Sequence, residues 1–148
     1  AGIRSPGLTS APAIADYAAE LLAADGLDLT EKDSYIDSRE KVHFNRLSAA
    51  ERKALIEKNP AYGRVICRCE TVTEGEILDA IHSPIPPVSV DGIKRRTGAG
   101  MGRCQGGFCG PRVVDLLARE LGVSPLTILQ DRDGSEILTA YTKGEVRA

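Results

Sequence analysis

Tryptophan is absent from this 148-residue sequence, and two phenylalanines and four tyrosines supply all its aromatic rings. So few rings exclude a stacking platform for single-stranded nucleic acid. An excess of charge of either sign is also missing: 19 Lys and Arg stand against 21 Asp and Glu, for a formal net charge of −2. The basic residues are scattered, so neither nucleic acid nor an anionic membrane surface is an expected partner. No long apolar run is present. The most apolar stretch, residues 11–24, carries Asp16 and Glu20, which excludes a transmembrane segment there, and no basic stretch with a cleavage site precedes it. Ser/His/Asp constellations, phosphate-binding glycine loops and zinc-protease motifs are lacking as well. Of the two histidines, His43 sits in a polar stretch and receives no role. His82 reads as a cation near a helix C-terminus. Asp131-Arg132-Asp133-Gly134 begins like a calcium loop but lacks the later ligands, and it reads as a turn.

What is there is cysteine in pairs. The four cysteines fall into C-R-C, at Cys67 and Cys69, and C-Q-G-G-F-C, at Cys104 and Cys109. Two close thiol pairs brought together by the intervening chain are what a four-thiolate metal site requires. The expected compartment is the cytoplasm, where thiols stay reduced and cysteine pairs hold metal more often than they form disulfides.

The rest of the chain reads as short helices and loops. It opens mid-pattern in A-G-I-R-S-P-G-L-T-S without an initiator methionine, as a piece of a longer protein would. Ser10 is the expected N-cap of a first helix with Pro12 in its first turn. Ile14, Tyr17, Ala18, Leu21 and Leu22 recur at helical spacing, and Gly26 is the stop. That face requires an apolar partner. Residues 27–46 lack a period and read as a polar linker. Ser48 with Glu51 forms a capping box for a second helix that Pro60 ends, with a thin apolar face of Leu47, Ala54 and Leu55. R-V-I-C-R-C-E is extended. Thr73 with Glu76 caps a third helix facing inward through Ile77, Leu78 and Ile81, and Pro84, Pro86 and Pro87 stop it. Ser89 caps a fourth, through Ile93 to Thr97. Cys109-Gly110-Pro111 opens a fifth, with Val113, Val114, Leu117 and Leu121 on one side and Gly122 as its stop. Ser124-Pro125 starts one more turn, and residues 137–141 read as a short strand in the tail.

Two metal groups suit the cysteines. A 2Fe-2S cluster takes four thiolates, each sequence pair serving one iron, and it carries excess negative charge. The flanks suit a buried anion. Glycines at Gly98, Gly100, Gly102, Gly106, Gly107 and Gly110 let backbone N–H groups approach sulfur, Cys109 stands at a helix N-terminus, and Arg68 and Arg103 abut ligands. A structural zinc site uses the same ligands, although C-x2-4-C at both ends is its commoner spacing. Zinc would make the chain a metal-stapled docking module that recruits a partner subunit. A disulfide or isolated redox dithiol is the third alternative.

The motifs C-R-C-E-T-V-T-E-G-E-I and G-R-C-Q-G-G-F-C-G-P-R resemble the 2Fe-2S domain of the bacterioferritin-associated ferredoxin type. They are most similar to the version at the C-terminus of FAD-dependent glycerol-3-phosphate dehydrogenase-like oxidoreductases, over roughly residues 62–130. The resemblance implies an all-α fold: a small bundle of short helices around a four-cysteine metal site, preceded by a helical and linker segment. It implies Cys67, Cys69, Cys104 and Cys109 as cluster ligands, with Arg68, Gly102, Arg103, Gly106 and Gly107 surrounding them. The opening A-G-I-R-S-P-G-L-T-S-A-P-A-I-A is similar to the last flavin-contacting loop and helix of the parent FAD domain, which places Gly2, Ile3, Arg4 and Leu8 near FAD or substrate. The implied organisation is a terminal piece of the FAD domain (1–25), a polar linker with one helix (26–61), the 2Fe-2S domain (62–130) and a tail (131–148). The implied function is electron transfer from FAD through the cluster to an unidentified acceptor. The FAD domain of the same polypeptide is then the partner, and the catalytic core lies outside this sequence.

Overall fold

The computed structural model describes residues 4–36, 38 and 40–143. The chain divides into two compact units, Ala1–Glu40 and Lys41–Ala148.

The first unit holds helix α1, Gly7–Ala24. It starts earlier than Ser10 because the turn closed by Gly7 N–H on the Arg4 carbonyl leads straight into the first helical bond, from Ser10 N–H to Pro6 O at 3.0 Å. Ser10 is therefore interior, and so is Pro12, which has no N–H to offer the Leu8 carbonyl. The stop is where expected. Gly26 takes φ +95°, its N–H bonds Ala23 O, and Leu27 N–H bonds Leu22 O at 2.9 Å, the double bond of a Schellman end. No residue of α1 is buried, and Ile14, Tyr17, Leu21 and Leu22 are all exposed.

In the second unit, the capping boxes form as read. Ser48 Oγ accepts from Glu51 N–H at the start of α2 (Ala49–Lys58), and Thr73 Oγ1 accepts from Glu76 N–H at the start of α3 (Glu74–Ile81). Leu47, Leu55 and Ile56 are half-buried, whereas Ala54 faces solvent. Phe44, in the polar stretch, is buried beneath the Arg52 guanidinium, 5.2 Å from the ring centroid. Ser89 caps α4 (Val90–Thr97), and α5 (Gly110–Leu121) ends at Gly122 in the left-handed conformation. Ile77 and Ile81 from α3, Ile93 from α4, and Val113, Val114, Leu116 and Leu117 from α5 form one core with Val72, Ile128, Cys67 and Cys109. Each large side chain fully buried there contributes roughly 1.5–3 kcal/mol.

The all-α expectation is corrected by a two-stranded antiparallel sheet, β1 (Val65–Cys67) and β2 (Val72–Thr73). Val65 pairs with Thr73 and Cys67 with Val72, with a bulge between. Four residues separate the strands, so the chain folds back on itself and the ladder satisfies backbone groups that an isolated extended segment would leave bare. The fold is thus mostly helical with a small sheet. The expected tail strand at 137–141 does not form. Leu129 instead bridges Ser89 and Glu136, and Val90 and Asp91 N–H groups bond the carbonyls of Leu129 and Gln130 at 3.1 and 2.8 Å. Pairing with the start of α4 uses residues upstream of the apolar run. Arg132 to Ser135 form the expected turn, with Gly134 at φ +80°. Among the described residues no helix is long and apolar enough to cross a membrane.

Candidate metal centre

The hairpin gives the first two cysteines different surroundings. Cys67 ends β1 opposite Val72 and is buried in the core. Cys69 lies in the connecting turn, where Thr71 takes φ 54°, and is exposed. The C-x-C spacing therefore anchors one thiol and presents the other.

The second segment begins at Gly98, whose left-handed backbone ends α4. Successive turns follow. Met101 N–H bonds Gly98 O, Gln105 N–H bonds Gly102 O, Gly107 N–H bonds Cys104 O, and Gly110 N–H bonds Gly106 O, at 2.7–3.0 Å. Gln105 and Gly106 both take positive φ, 46° and 85°. This loop passes tightly over the hairpin: a Cβ at Gly102 would stand 2.2 Å from the Cys69 Cβ. Cys104 is half-buried, and Cys109, immediately before α5, is buried.

The sulfur contact runs between the two segments. Cys69 Sγ lies 3.6 Å from Cys104 Sγ, and Cys67 and Cys109 are buried in the same core cluster. All four cysteines are free. The expected arrangement, a helical bundle enclosing an assembled four-cysteine site, is corrected accordingly. Among the described residues no three His, Cys, Asp or Glu side chains surround one ion position, and the sulfurs stand as an exposed pair and a buried pair. The reason is that Cys69 and Cys104 sit on a turn and a loop at the edge, while only Cys67 and Cys109 reach between the helices.

The two pairs differ electrostatically. The Phe108 backbone N–H first, and then Cys69, hold the Cys104 pKa below the ordinary thiol value. Burial, reinforced by the Cys67 and Cys104 sulfurs, pushes Cys109 up to about 11. A cation among the sulfurs would offset that cost, because a coordinating thiol ionises outright. Four free thiols, two of them carried with core residues and the other two 3.6 Å apart, are a donor set that fits an iron–sulfur group.

The other residues singled out in the sequence are placed as follows. Gly102 meets Cys69, Gly107 N–H bonds the Cys104 carbonyl, and the Gly106 carbonyl accepts from Gly110 N–H. Arg68 and Arg103 are exposed and line, with Cys69 and Glu70, an open cleft of about 420 Å³. Arg4 and Leu8 lie at the start of α1, both exposed, and Gly2 and Ile3 fall outside the described residues. His82 is the C-cap of α3, and its Nε2 lies 2.8 Å from Glu120 Oε2. Sequence reading passes over Gln105 and the Phe108 N–H. The glycines that flank Gln105 signal a tight loop, but nothing in the sequence announces a left-handed glutamine.

Residues 65–119 match the BFD-like [2Fe-2S] binding domain family. The whole chain is similar to a glycerol 3-phosphate dehydrogenase of Caloramator mitchellensis, 49% identical over 99% of this chain and 31% of that protein. It is also similar to the hydrogen cyanide synthase subunit HcnB of Pseudomonas aeruginosa, 38% identical over 57% of this chain and 20% of that one. One component of the anaerobic glycerol-3-phosphate dehydrogenase of Escherichia coli is 36% identical over 45% of this chain and 12% of its own length. The chain thus spans under a third of the curated relatives it matches. No solved structure matches it. The sulfurs that converge from two segments thus lie on the stretch, residues 65–119, that matches the BFD-like [2Fe-2S] binding domain family.

Proposed function

We propose that this chain is the electron-relaying portion of an FAD-dependent dehydrogenase resembling glycerol-3-phosphate dehydrogenase, with Cys67, Cys69, Cys104 and Cys109 as ligands of a 2Fe-2S cluster. The observation that carries the reading is the 3.6 Å approach of Cys69 to Cys104, from segments 35 residues apart, beside the buried pair Cys67 and Cys109. When bound, the cluster supplies a one-electron carrier.

The chain's own residues do the rest. Cys67 and Cys109 hold the site to the core, and Cys69 keeps one edge at the surface, which is where electrons would pass to a partner. The Phe108 backbone N–H favours negative charge on Cys104 and so would favour the reduced state. Arg68 and Arg103, being exposed, add a screened positive potential. In the same reading residues 1–25 are the terminal piece of the parent FAD domain, 26–61 a linker, 62–130 the cluster domain and 131–148 a tail. Gly2, Ile3, Arg4 and Leu8 would lie at FAD, the unpartnered face of α1 would pack on that domain, and the parent would work in the cytoplasm on glycerol 3-phosphate or a similar substrate.

Anaerobic isolation tests the reading. Red-brown protein with iron and sulfide in equal amounts, and a rhombic electron paramagnetic signal on reduction, is expected. Cys104→Ser should abolish that stoichiometry and lower the melting temperature of the loaded chain. Colourless protein holding one zinc per chain would replace this function with the docking module.

A further inference from the structure

We propose that Gln105 is a positioning residue of the cysteine loop: its side-chain amide staples the loop to itself and thereby holds Gly102 against Cys69, and with it the approach of Cys104 to Cys69. The inference deepens the cluster reading and rests on it. Gln105 Nε2 lies 3.0 Å from the Met101 carbonyl and 3.0 Å from the Gly102 carbonyl, so both of its hydrogens are engaged. Gln105 N–H also bonds Gly102 O at 2.9 Å. The residue thus closes residues 101–105 twice, through backbone and through side chain.

The loop needs such closure. Residues 98–107 contain five glycines, each of which gains extra conformational entropy on leaving this conformation. Against that background Gln105 adopts φ 46°, a left-handed backbone that disfavours any residue with a Cβ. Glycine would suit the backbone better, so the side chain is what offsets the conformation. The next residue, Gly106, continues the left-handed course at φ 85°, and the chain then turns back so that Gly107 N–H bonds the Cys104 carbonyl at 2.9 Å. Gly102, whose carbonyl the amide holds, is also the residue in contact with Cys69. One amide therefore fixes the wall behind Cys69 and the loop that carries Cys104 to within 3.6 Å of it.

Amide hydrogen exchange of the metal-free 148-residue chain tests this directly. Gln105→Ala removes the amide and keeps the backbone penalty. Gln105→Gly removes both. Gln105→Glu, nearly isosteric, turns an acceptor toward two carbonyls. All three should accelerate exchange at Met101 and Gly107, whose N–H groups are bonded within the loop, about tenfold or more, as expected for two lost hydrogen bonds, and leave Leu117 in α5 unchanged. After anaerobic reconstitution they should also release iron faster to a chelator. Wild-type exchange rates in Gln105→Gly would overturn the proposal, because the backbone alone would then set the loop. Uniform acceleration that includes Leu117 would overturn it too, as general destabilisation. Failure of the wild-type chain to take up iron would sink the cluster reading alone, since the exchange comparison needs no metal.

Discussion

Replacing Gly102 by alanine should cost this chain its metal before it costs the fold. The added Cβ would stand 2.2 Å from the Cys69 Cβ and 2.8 Å from Glu70 Oε1. The glutamate is the end of a flexible side chain and can swing away. The Cys69 Cβ cannot, because it is fixed to the turn between β1 and β2. Carbon atoms rest about 3.5–4.0 Å apart, so hairpin and loop must separate by more than about 1 Å. Overpacking of this kind costs about 1–3 kcal/mol. The displacement falls on the Cys69–Cys104 approach of 3.6 Å, and the core of Ile77, Ile93 and Leu117 lies elsewhere. Melting of the metal-free chain should therefore drop by several degrees, at about 4–8 °C per kcal/mol for a domain near this size. Iron and sulfide bound after anaerobic reconstitution should fall to well under half of wild type. Gly102→Ala with wild-type iron content and an unchanged absorption spectrum would refute the claim that hairpin and loop must touch for the thiols to converge.

Gly75 is a second close approach, this time inside the fold. A Cβ there would lie 2.6 Å from the Tyr62 ring, whose hydroxyl is tied to Asp79, so the ring cannot retreat freely. Gly75→Ala should destabilise the fold by about 1–3 kcal/mol, read by calorimetry, and wild-type melting would count against it. The buried Glu74 carboxylate predicts an acid dependence. Its hydrogen bond to Arg64 first, with Arg119 at 3.0 Å, holds its pKa below the usual 4.5. A depressed folded-state pKa stabilises the fold fully above the unfolded value and loses that stabilisation as pH falls through the folded one. Glu74→Gln should therefore flatten the decline of melting temperature below about pH 4.5, while costing roughly 1–3 kcal/mol at neutral pH through unpaired partners that stay partly solvated. A slope identical to wild type would show that other carboxylates, such as Glu120, carry the acid sensitivity.

Short-range signals are the legible ones. Ser48 with Glu51 and Thr73 with Glu76 form their capping boxes, and Gly26 and Gly122 stop their helices, because each device closes within a few residues. The start of α1 is misread from a side-chain signal at Ser10, when the turn at Arg4–Gly7 is the actual nucleus. The tail strand is misread because its partner, the start of α4, pairs with Leu129 instead of the apolar run after Glu136.

The site divides the same way. Which residues carry sulfur, that they come in two groups, and that glycines crowd the second group are properties of the sequence alone, because chemistry and backbone freedom belong to individual residues. That C-R-C folds into a hairpin, that Cys69 meets Cys104 while Cys67 and Cys109 enter one core, and that Gln105 is left-handed with its amide on the Met101 and Gly102 carbonyls were decided by the tertiary structure. Those contacts join segments tens of residues apart, and their pairing is set by the packing of α3, α4 and α5, which no local spacing encodes.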